Sequence, residues 1–293
     1  MFITVFTATY NRAHTLPRLF ESLKCQTYQD FEWLIVDDGS VDNTKDVVES
    51  FLSENPSFSI VYIRNNHGGK HRAVNTGLDL AKGELFFMLD SDDYLTNRAL
   101  EKVIGWVYKI PNRNECAGLC GRMSDERGVL IGTNFKQEYL YMTFIDMIRM
   151  GITGDRANVL FTEVFKRYKY PEFPDEWHIA PTVPFVRMAN DGYKLLFFNE
   201  VIYIAEYMQD GLTKMGDKKI LDNFKGYTLR TRELRPQNIG LRRKIEIIGK
   251  YTCLGRRLGL TYSEICRNID INIFEAFVCG GLASLFYLVG GKR

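Results

Sequence analysis

Three carboxylates, Asp90, Asp92 and Asp93, fall within four residues at the end of an apolar run, Leu85-Phe86-Phe87-Met88-Leu89. Asp90 and Asp92 can direct oxygens at one divalent cation and leave further positions for water and phosphate oxygens. The apolar run predicts a strand buried on both faces. In an open α/β sheet, ligands sit just beyond the carboxyl ends of the strands, which is where these acids stand. A plainer use is that Asp92, Asp93 and Thr96 turn the chain and cap a helix beginning near Asn97. Capping accounts for one acid better than for three. An EF-hand is excluded, although Glu101 falls at loop position twelve, because Leu95 stands where glycine is needed and Tyr94 at a ligand position.

A second group is Asn65-Asn66-His67-Gly68-Gly69-Lys70-His71-Arg72, which follows a predicted strand and opens a helix. Backbone amides at a helix start, with Lys70 and Arg72 beside them, suit a phosphate; Gly68-Gly69 also reads as a simple turn. No GxGxxG follows the first strand, which counts against a dinucleotide fold. Lys70 lacks both the upstream glycine spacing and the following Ser/Thr of a Walker loop.

The elements that must position these groups alternate from the start. Strands are predicted at 2–7, 31–36, 59–63 and 84–89. Helices are predicted at 16–25, from Asn43 or Thr44, and at 68–81 with Ala73, Leu78 and Ala81 inward. The alternation predicts a parallel sheet with right-handed crossovers. It gathers Thr9-Tyr10-Asn11-Arg12, Asp37-Asp38 and the acid cluster at one edge. Further strands are expected at 116–123, 129–131, 158–161, 195–198 and 201–205. Helices are expected at 162–167 and 181–191, the latter preceded by a Pro- and aromatic-rich loop at 170–178.

At 293 residues, 45% hydrophobic and 25% charged, the chain can bury a sizeable core as one large domain or one domain plus an extension. Its opening, Met1-Phe2-Ile3-Thr4-Val5-Phe6-Thr7-Ala8, reads as a first strand rather than a signal peptide. The six cysteines form no CxxC pair, and Cys116 and Cys120 lack partners for a zinc site, so free thiols in the cytosol are expected. The net charge of +2 hides an asymmetry: residues 217–257 carry 12 Lys/Arg against 4 Asp/Glu, and residues 1–216 are net −6. Such a basic segment suits anionic lipid or nucleic acid, and solvated helix faces give the same composition. Nucleic acid is disfavoured because the segment lacks interleaved aromatics. The apolar stretch from Ala276 to Gly291 has sixteen residues, short of the roughly 20 a spanning helix needs. Phe274, Phe277, Val278, Leu282, Leu285, Phe286 and Val289 share one helical face, which either packs on the domain or lies in a membrane interface.

The first 95 residues resemble the nucleotide-sugar half of the family 2 inverting glycosyltransferases of GT-A fold. The resemblance is carried by Thr7-Ala8-Thr9-Tyr10-Asn11-Arg12, by Val36-Asp37-Asp38-Gly39-Ser40-Val41-Asp42-Asn43-Thr44, by the helix with Ala73, Asn75 and Gly77, and by Asp90-Ser91-Asp92-Asp93. Four motifs in order are far more specific than any one. The resemblance implies a Rossmann-like mixed α/β sheet flanked by helices over 1–216, with a nucleotide-sugar half (1–100) and an acceptor half (101–216). A helical, basic extension would occupy 217–293. It also implies that Thr9, Tyr10 and Arg12 line the base and ribose pocket, and that Asp37 or Asp38 bonds the uracil or ribose. Lys70, Arg72 and Asn75 would lie along the nucleotide. Asp90 and Asp92, with Ser91 between them, would hold the sugar diphosphate of a UDP-sugar through Mg2+ or Mn2+. A cation there would stabilise the charge that builds on the leaving diphosphate.

In similar enzymes the acceptor half supplies the carboxylate that deprotonates the acceptor hydroxyl. Here the chain departs from the pattern, with Ala180-Pro181-Thr182 where that acid is expected. Glu176, then Asp175, are the candidates for the base, with His178 behind them. A helix-entry loop with solvated acids is the plainer use of both carboxylates. Tyr207-Met208-Gln209-Asp210-Gly211-Leu212-Thr213 resembles a segment that folds back toward the donor site in related enzymes. The expected activity is transfer of a sugar to a hydroxyl of a growing surface glycan, such as capsule, O-antigen or exopolysaccharide. The acceptor would be saccharide or lipid-linked saccharide at the cytoplasmic membrane face. A non-catalytic sugar-nucleotide-binding subunit is the rival reading, motivated by the missing acid. A sugar-phosphate nucleotidyltransferase would need a glycine-rich loop with Arg and Lys after the first strand, which Thr9-Tyr10-Asn11-Arg12 does not supply.

Overall fold

The computed structural model describes residues 2–206 and 215–289, with side chains placed through Ala283. The segment from Tyr207 to Thr213 lies outside the described residues. Strand and helix alternate as β1 (Ile3–Thr9), α1 (Leu16–Lys24), β2 (Phe31–Asp37), α2 (Thr44–Ser53), β3 (Ser59–Arg64), α3 (Lys70–Leu80) and β4 (Leu85–Met88). β1, β2, β3 and β4 pair in parallel, in the order β3-β2-β1-β4. Strands whose residues are apolar on both faces must be covered on both sides. Leu85 and Phe87 accordingly pack with α1 and α2, whereas Phe86 packs with α3 on the opposite face.

Beyond β4 the sheet is mixed. A two-residue strand β5 (Tyr94–Leu95) and α4 (Ala99–Val107) lead to β6 (Cys116–Ser124), followed by β7 (Tyr139–Thr143), α5 (Phe144–Arg149), β8 (Ala157–Phe161), α6 (Thr162–Lys166), α7 (Thr182–Asn190) and β9 (Lys194–Ile204). β8 runs antiparallel to both β4 and β6. β9 pairs in parallel with β6, and its other edge carries β7 along the first half and β5 at the end.

Several sequence expectations are corrected. The strand expected at 129–131 reduces to a single bridge between Ser124 and Leu130, flanked by Gly128 and Gly132 at positive φ, which curl the segment off the sheet. The strands expected at 195–198 and 201–205 are one strand, β9: its pairing with β6 shifts register between Phe197 and Val201, where Asn199 and Glu200 accept from Arg122 and Trp106. β7 and α5 were not anticipated.

After residue 214 the described chain is helical: α8 (Gly216–Leu221), α9 (Phe224–Leu234), α10 (Leu241–Arg257), α11 (Tyr262–Ile269) and α12 (Ile273–Val289). α12 lies on α10 through its small residues: a Cβ at Gly249 would meet the Cys279 carbonyl and the Ala283 methyl at 2.5 and 2.6 Å. Phe274 and Phe277 point outward instead, at 72% and 68% exposure. Among the described residues, no helix is long and apolar enough to cross a membrane.

Candidate active site

Parallel pairing sets Thr9 level with Asp37 and Phe6 level with Met88, so the loops after β1, β2 and β4 open at one edge. In the first loop Asn11 adopts a left-handed φ of 53° and turns the chain. Its side-chain carbonyl accepts from the Val41 amide at 2.8 Å, and its own amide donates to Ser40 Oγ. Tyr10 then stacks on His67, with ring centroids 4.2 Å apart. Beside that stack, Gly39, Arg64, Asn65, Asn66 and His67 line a shallow cavity of about 400 Å3. Thr9 Oγ1 is buried beneath the loop and meets no acceptor or donor.

Asp37 and Asp38, expected to face uracil or ribose, are buried braces in this structure. Asp37 accepts from the Ser40 amide at 2.8 Å and from Tyr62 Oη at 2.6 Å. Asp38 accepts from the Gly68 and Gly69 amides at 2.9 and 2.8 Å and lies 2.9 Å from His67 Nδ1. These bonds fix the entry to α3. Gly69 there has a φ of 97°, and a Cβ would fall 1.7 Å from the Trp177 carbonyl oxygen, so only glycine lets the two loops meet.

Lys70, first in α3, sets Nζ 2.5 Å from Asp90 Oδ1. Arg72 and Asn75, expected along the nucleotide, are committed elsewhere. Arg72 Nη2 donates to the Phe173 carbonyl at 2.6 Å, and Asn75 Nδ2 donates to the Tyr170 carbonyl and Glu172 Oε1, each at 2.9 Å. Both side chains fasten the 170–173 loop to α3.

Carboxylate oxygens of Asp90, Asp92 and Asp93 lie within 4.8 Å of one another, and Ser91 is buried between the first two. Tyr203 on β9 clamps the cluster: its hydroxyl donates to Asp93 Oδ2 at 2.7 Å and accepts from the Asp90 amide at 2.9 Å. The Glu206 amide donates to Asp93 Oδ1, and Arg18 Nη2 donates to the Asp92 carbonyl, both at 2.8 Å. Burial, reinforced by the charge of Asp90, raises the carboxyls of Asp92 and Asp93, the latter to about 7. Desolvation lowers the Lys70 ammonium, but Asp90, then Asp92 and Asp93, outweigh it and hold it above its usual range. This excess of negative charge on hard oxygen donors fits a divalent cation.

Glu176, the first candidate for the base, is 6% exposed, and both its oxygens accept from backbone amides opening α9: Lys225 at 2.5 Å and Gly226 at 2.7 Å. A carboxylate on a helix N-terminus is a favourable structural use. Asp175 instead extends into solvent, with Oδ2 3.1 Å from Lys225 Nζ. The adjoining His178 is pushed down to about 4 by burial and by Lys219. Neither Tyr203 nor Asn223, which accepts from the Trp177 and His178 amides at 2.8 Å, was singled out in the sequence. Their partners lie too far along the chain for any local pattern to reveal them.

The model of the glycosyl transferase family 2 matches residues 4–169, more than half of the 293. The chain belongs to that family. Among family 2 relatives, glycosyltransferase GlyG of Streptococcus pneumoniae serotype 4 is 34% identical over 99 residues, covering 34% of this chain and 33% of GlyG. The GalNAc(5)-diNAcBac-PP-undecaprenol beta-1,3-glucosyltransferase of Campylobacter jejuni is 32% identical over 102 residues, covering 35% and 33%. The matches thus span about a third of these relatives. In fold, the chain is similar to TarS 1–349 of S. aureus in complex with UDP-GlcNAc, with a TM-score of 0.65 and 19% identity over 88% of this chain and 73% of that one. It is also similar to the mannosyltransferase PcManGT of Pyrobaculum calidifontis in complex with GDP-Man and Mn2+, with a TM-score of 0.54 and 16% identity over 99% and 76%. The expected GT-A fold, with a helical C-terminal region, is the fold observed.

Proposed function

We propose that this family 2 protein is an inverting glycosyltransferase that moves a sugar from a UDP-sugar to a hydroxyl of a growing surface glycan. The observation that carries the reading is the convergence of Lys70 with the Asp90, Asp92 and Asp93 cluster at the open edge of the parallel strands. Asp90 and Asp92 would hold Mg2+ or Mn2+, and a bound cation supplies charge neutralisation to the diphosphate as the glycosidic bond breaks. Lys70, held against Asp90 here, is placed to turn to a phosphate oxygen when Asp90 engages a cation. Tyr10 and His67 offer a stacking surface beside the 400 Å3 cavity for the base, and Thr9 and Arg12 flank Tyr10 in the same loop.

For the acceptor hydroxyl we assign the base role to Asp175. It is the solvent-facing carboxylate of the pair, while Glu176 positions the loop; such a base contributes roughly 10²–10⁴-fold in rate. The engagement of Glu176 by α9 equally favours the rival reading, a sugar-nucleotide-binding subunit without turnover. Incubation of pure protein with a panel of UDP-sugars, Mn2+ and lipid extract separates the two. Transfer that disappears in Asp175→Asn, with UDP binding intact, supports the enzyme. Binding without turnover supports the subunit, and neither binding nor turnover removes both. The outward Phe274 and Phe277 of α12 and the basic composition of residues 217–257 support peripheral contact with the cytoplasmic membrane surface, where a lipid-linked acceptor would be met.

A further inference from the structure

A second cavity, of about 830 Å3, lies between the acceptor half and the C-terminal helices. Part of its wall is apolar, from Phe144, Phe185, Phe197 and Ile247, and part is cationic. Of the arginines lining it, Arg149, Arg242 and Arg243 are already neutralised by Asp146 and Glu246. Arg156 and Arg230 have no carboxylate partner among the described residues, and Asp155 on the rim is exposed.

Arg156 is 7% exposed. Its Nη2 donates to the Thr133 carbonyl at 2.7 Å, while Nε and Nη1 meet no acceptor. Arg122, close enough to repel it, is 1% exposed. It gives Nη1 to Asn134 and Asn199 and leaves Nε and Nη2 without acceptors. Arg230 donates from Nε to Thr182 Oγ1 at 3.1 Å, at the first turn of α7. That helix has no side-chain cap at its N-terminus, so its positive dipole end and the Thr182 amide stand beside the guanidinium, while Val183 donates to the Ala180 carbonyl and Pro184 has no amide to offer. Burying cations with neither counter-charge nor full hydrogen bonding is costly, and an oxyanion bound by guanidinium groups relieves it.

We propose that this cavity binds a phosphate oxyanion borne by the acceptor, gripped by Arg156 and Arg230 at the start of α7. The planar guanidinium suits a phosphate through paired N–H bonds, and the apolar wall receives whatever the phosphate is attached to. The assignment rests on reading this half as acceptor-binding, and it adds the chemical class of what is recognised there.

The test is calorimetric titration of the full chain with inorganic phosphate, farnesyl phosphate and farnesol, repeated on Arg156→Gln, Arg230→Gln and Lys70→Met. At least one phosphate-bearing probe should bind and lose roughly tenfold or more in affinity in Arg156→Gln and Arg230→Gln, but not in Lys70→Met. The melting temperature of ligand-free Arg156→Gln should be equal or higher, because an unneutralised buried charge is gone; a purely structural arginine would lower it. Tighter binding of farnesyl phosphate than of inorganic phosphate assigns a lipid-borne group, and the reverse a free or sugar-borne one. Binding of neither phosphate probe, equal binding by the Arg156→Gln protein, or farnesol binding as well as farnesyl phosphate overturns the proposal. UDP titrated in parallel should bind more weakly in Lys70→Met and unchanged in Arg156→Gln. Failure of UDP to bind the unaltered protein would undo the donor reading separately.

Discussion

The Tyr203 hydroxyl donates to Asp93 Oδ2 at 2.7 Å and accepts from the Asp90 amide, bridging the last strand of the sheet to the acid cluster. Tyr203→Phe leaves the ring packed, removes both bonds and leaves a buried carboxylate short of a donor. A hydrogen bond to a charged group contributes about 1.5–3 kcal/mol. Nucleotide affinity in the presence of Mn2+, measured by calorimetry, should fall about tenfold or more, with the circular dichroism spectrum unchanged.

Lys70 and Asp90 neutralise each other across 2.5 Å. Lys70→Met therefore frees Asp90 while removing a phosphate partner. UDP binding should weaken, whereas Mn2+ binding measured without nucleotide should strengthen. The double variant Asp90→Asn/Asp92→Asn should lose Mn2+ binding and reduce turnover by roughly 10³-fold. Full turnover of that variant in EDTA would remove the metal from the scheme.

Asp175 and Glu176 should separate by readout. Glu176→Ala uncaps α9 and leaves the Lys225 and Gly226 amides unmet, lowering stability by about 1–2 kcal/mol. Asp175→Asn should leave the melting temperature within a degree and lower kcat with KM little changed, the mark of a group acting in the transition state.

Burial pushes both His71 and His178 down to about 4, helped by Arg72 in the first case and Lys219 in the second. An unfolded histidine takes its proton near 6.5. The unfolded chain therefore binds more protons below that value, so stability is present above pH 6.5 and is lost as pH falls toward 4. The loss should reach about 2 kcal/mol per histidine by pH 5. Melting curves from pH 7.5 to 5 should show that decline, and His178→Gln should reduce it by roughly half.

The parallel part of the sheet was legible because its signals are local. An apolar run such as Leu85–Met88 must be buried on both faces, and each such run ends in turn or acidic residues at the same edge. The roles of the acids were less legible than their positions. Asp37, Asp38, Arg72 and Asn75 carry the right types at the right places, yet the fold spends their polar atoms on bracing loops. Tyr203 meets Asp93 across 110 residues, beyond the reach of periodicity. The gap left between the strands expected at 195–198 and 201–205 falls on Asn199 and Glu200, polar residues of types depleted in strands. In β9 they are kept by Arg122 and Trp106, neither of which is near in sequence.

Asn223 receives the Trp177 and His178 amides on one side-chain oxygen and returns its own N–H to the Lys219 carbonyl. The corner between α8 and α9 is thereby stitched to the very loop whose carbonyl rests on Gly69 at the start of α3. A protein trimmed near residue 216 would keep the acid cluster and the Gly68-Gly69 turn and lose the corner that holds Trp177 and His178 in place. Exchange of helical tails between relatives should consequently shift that loop while leaving the acid cluster in place.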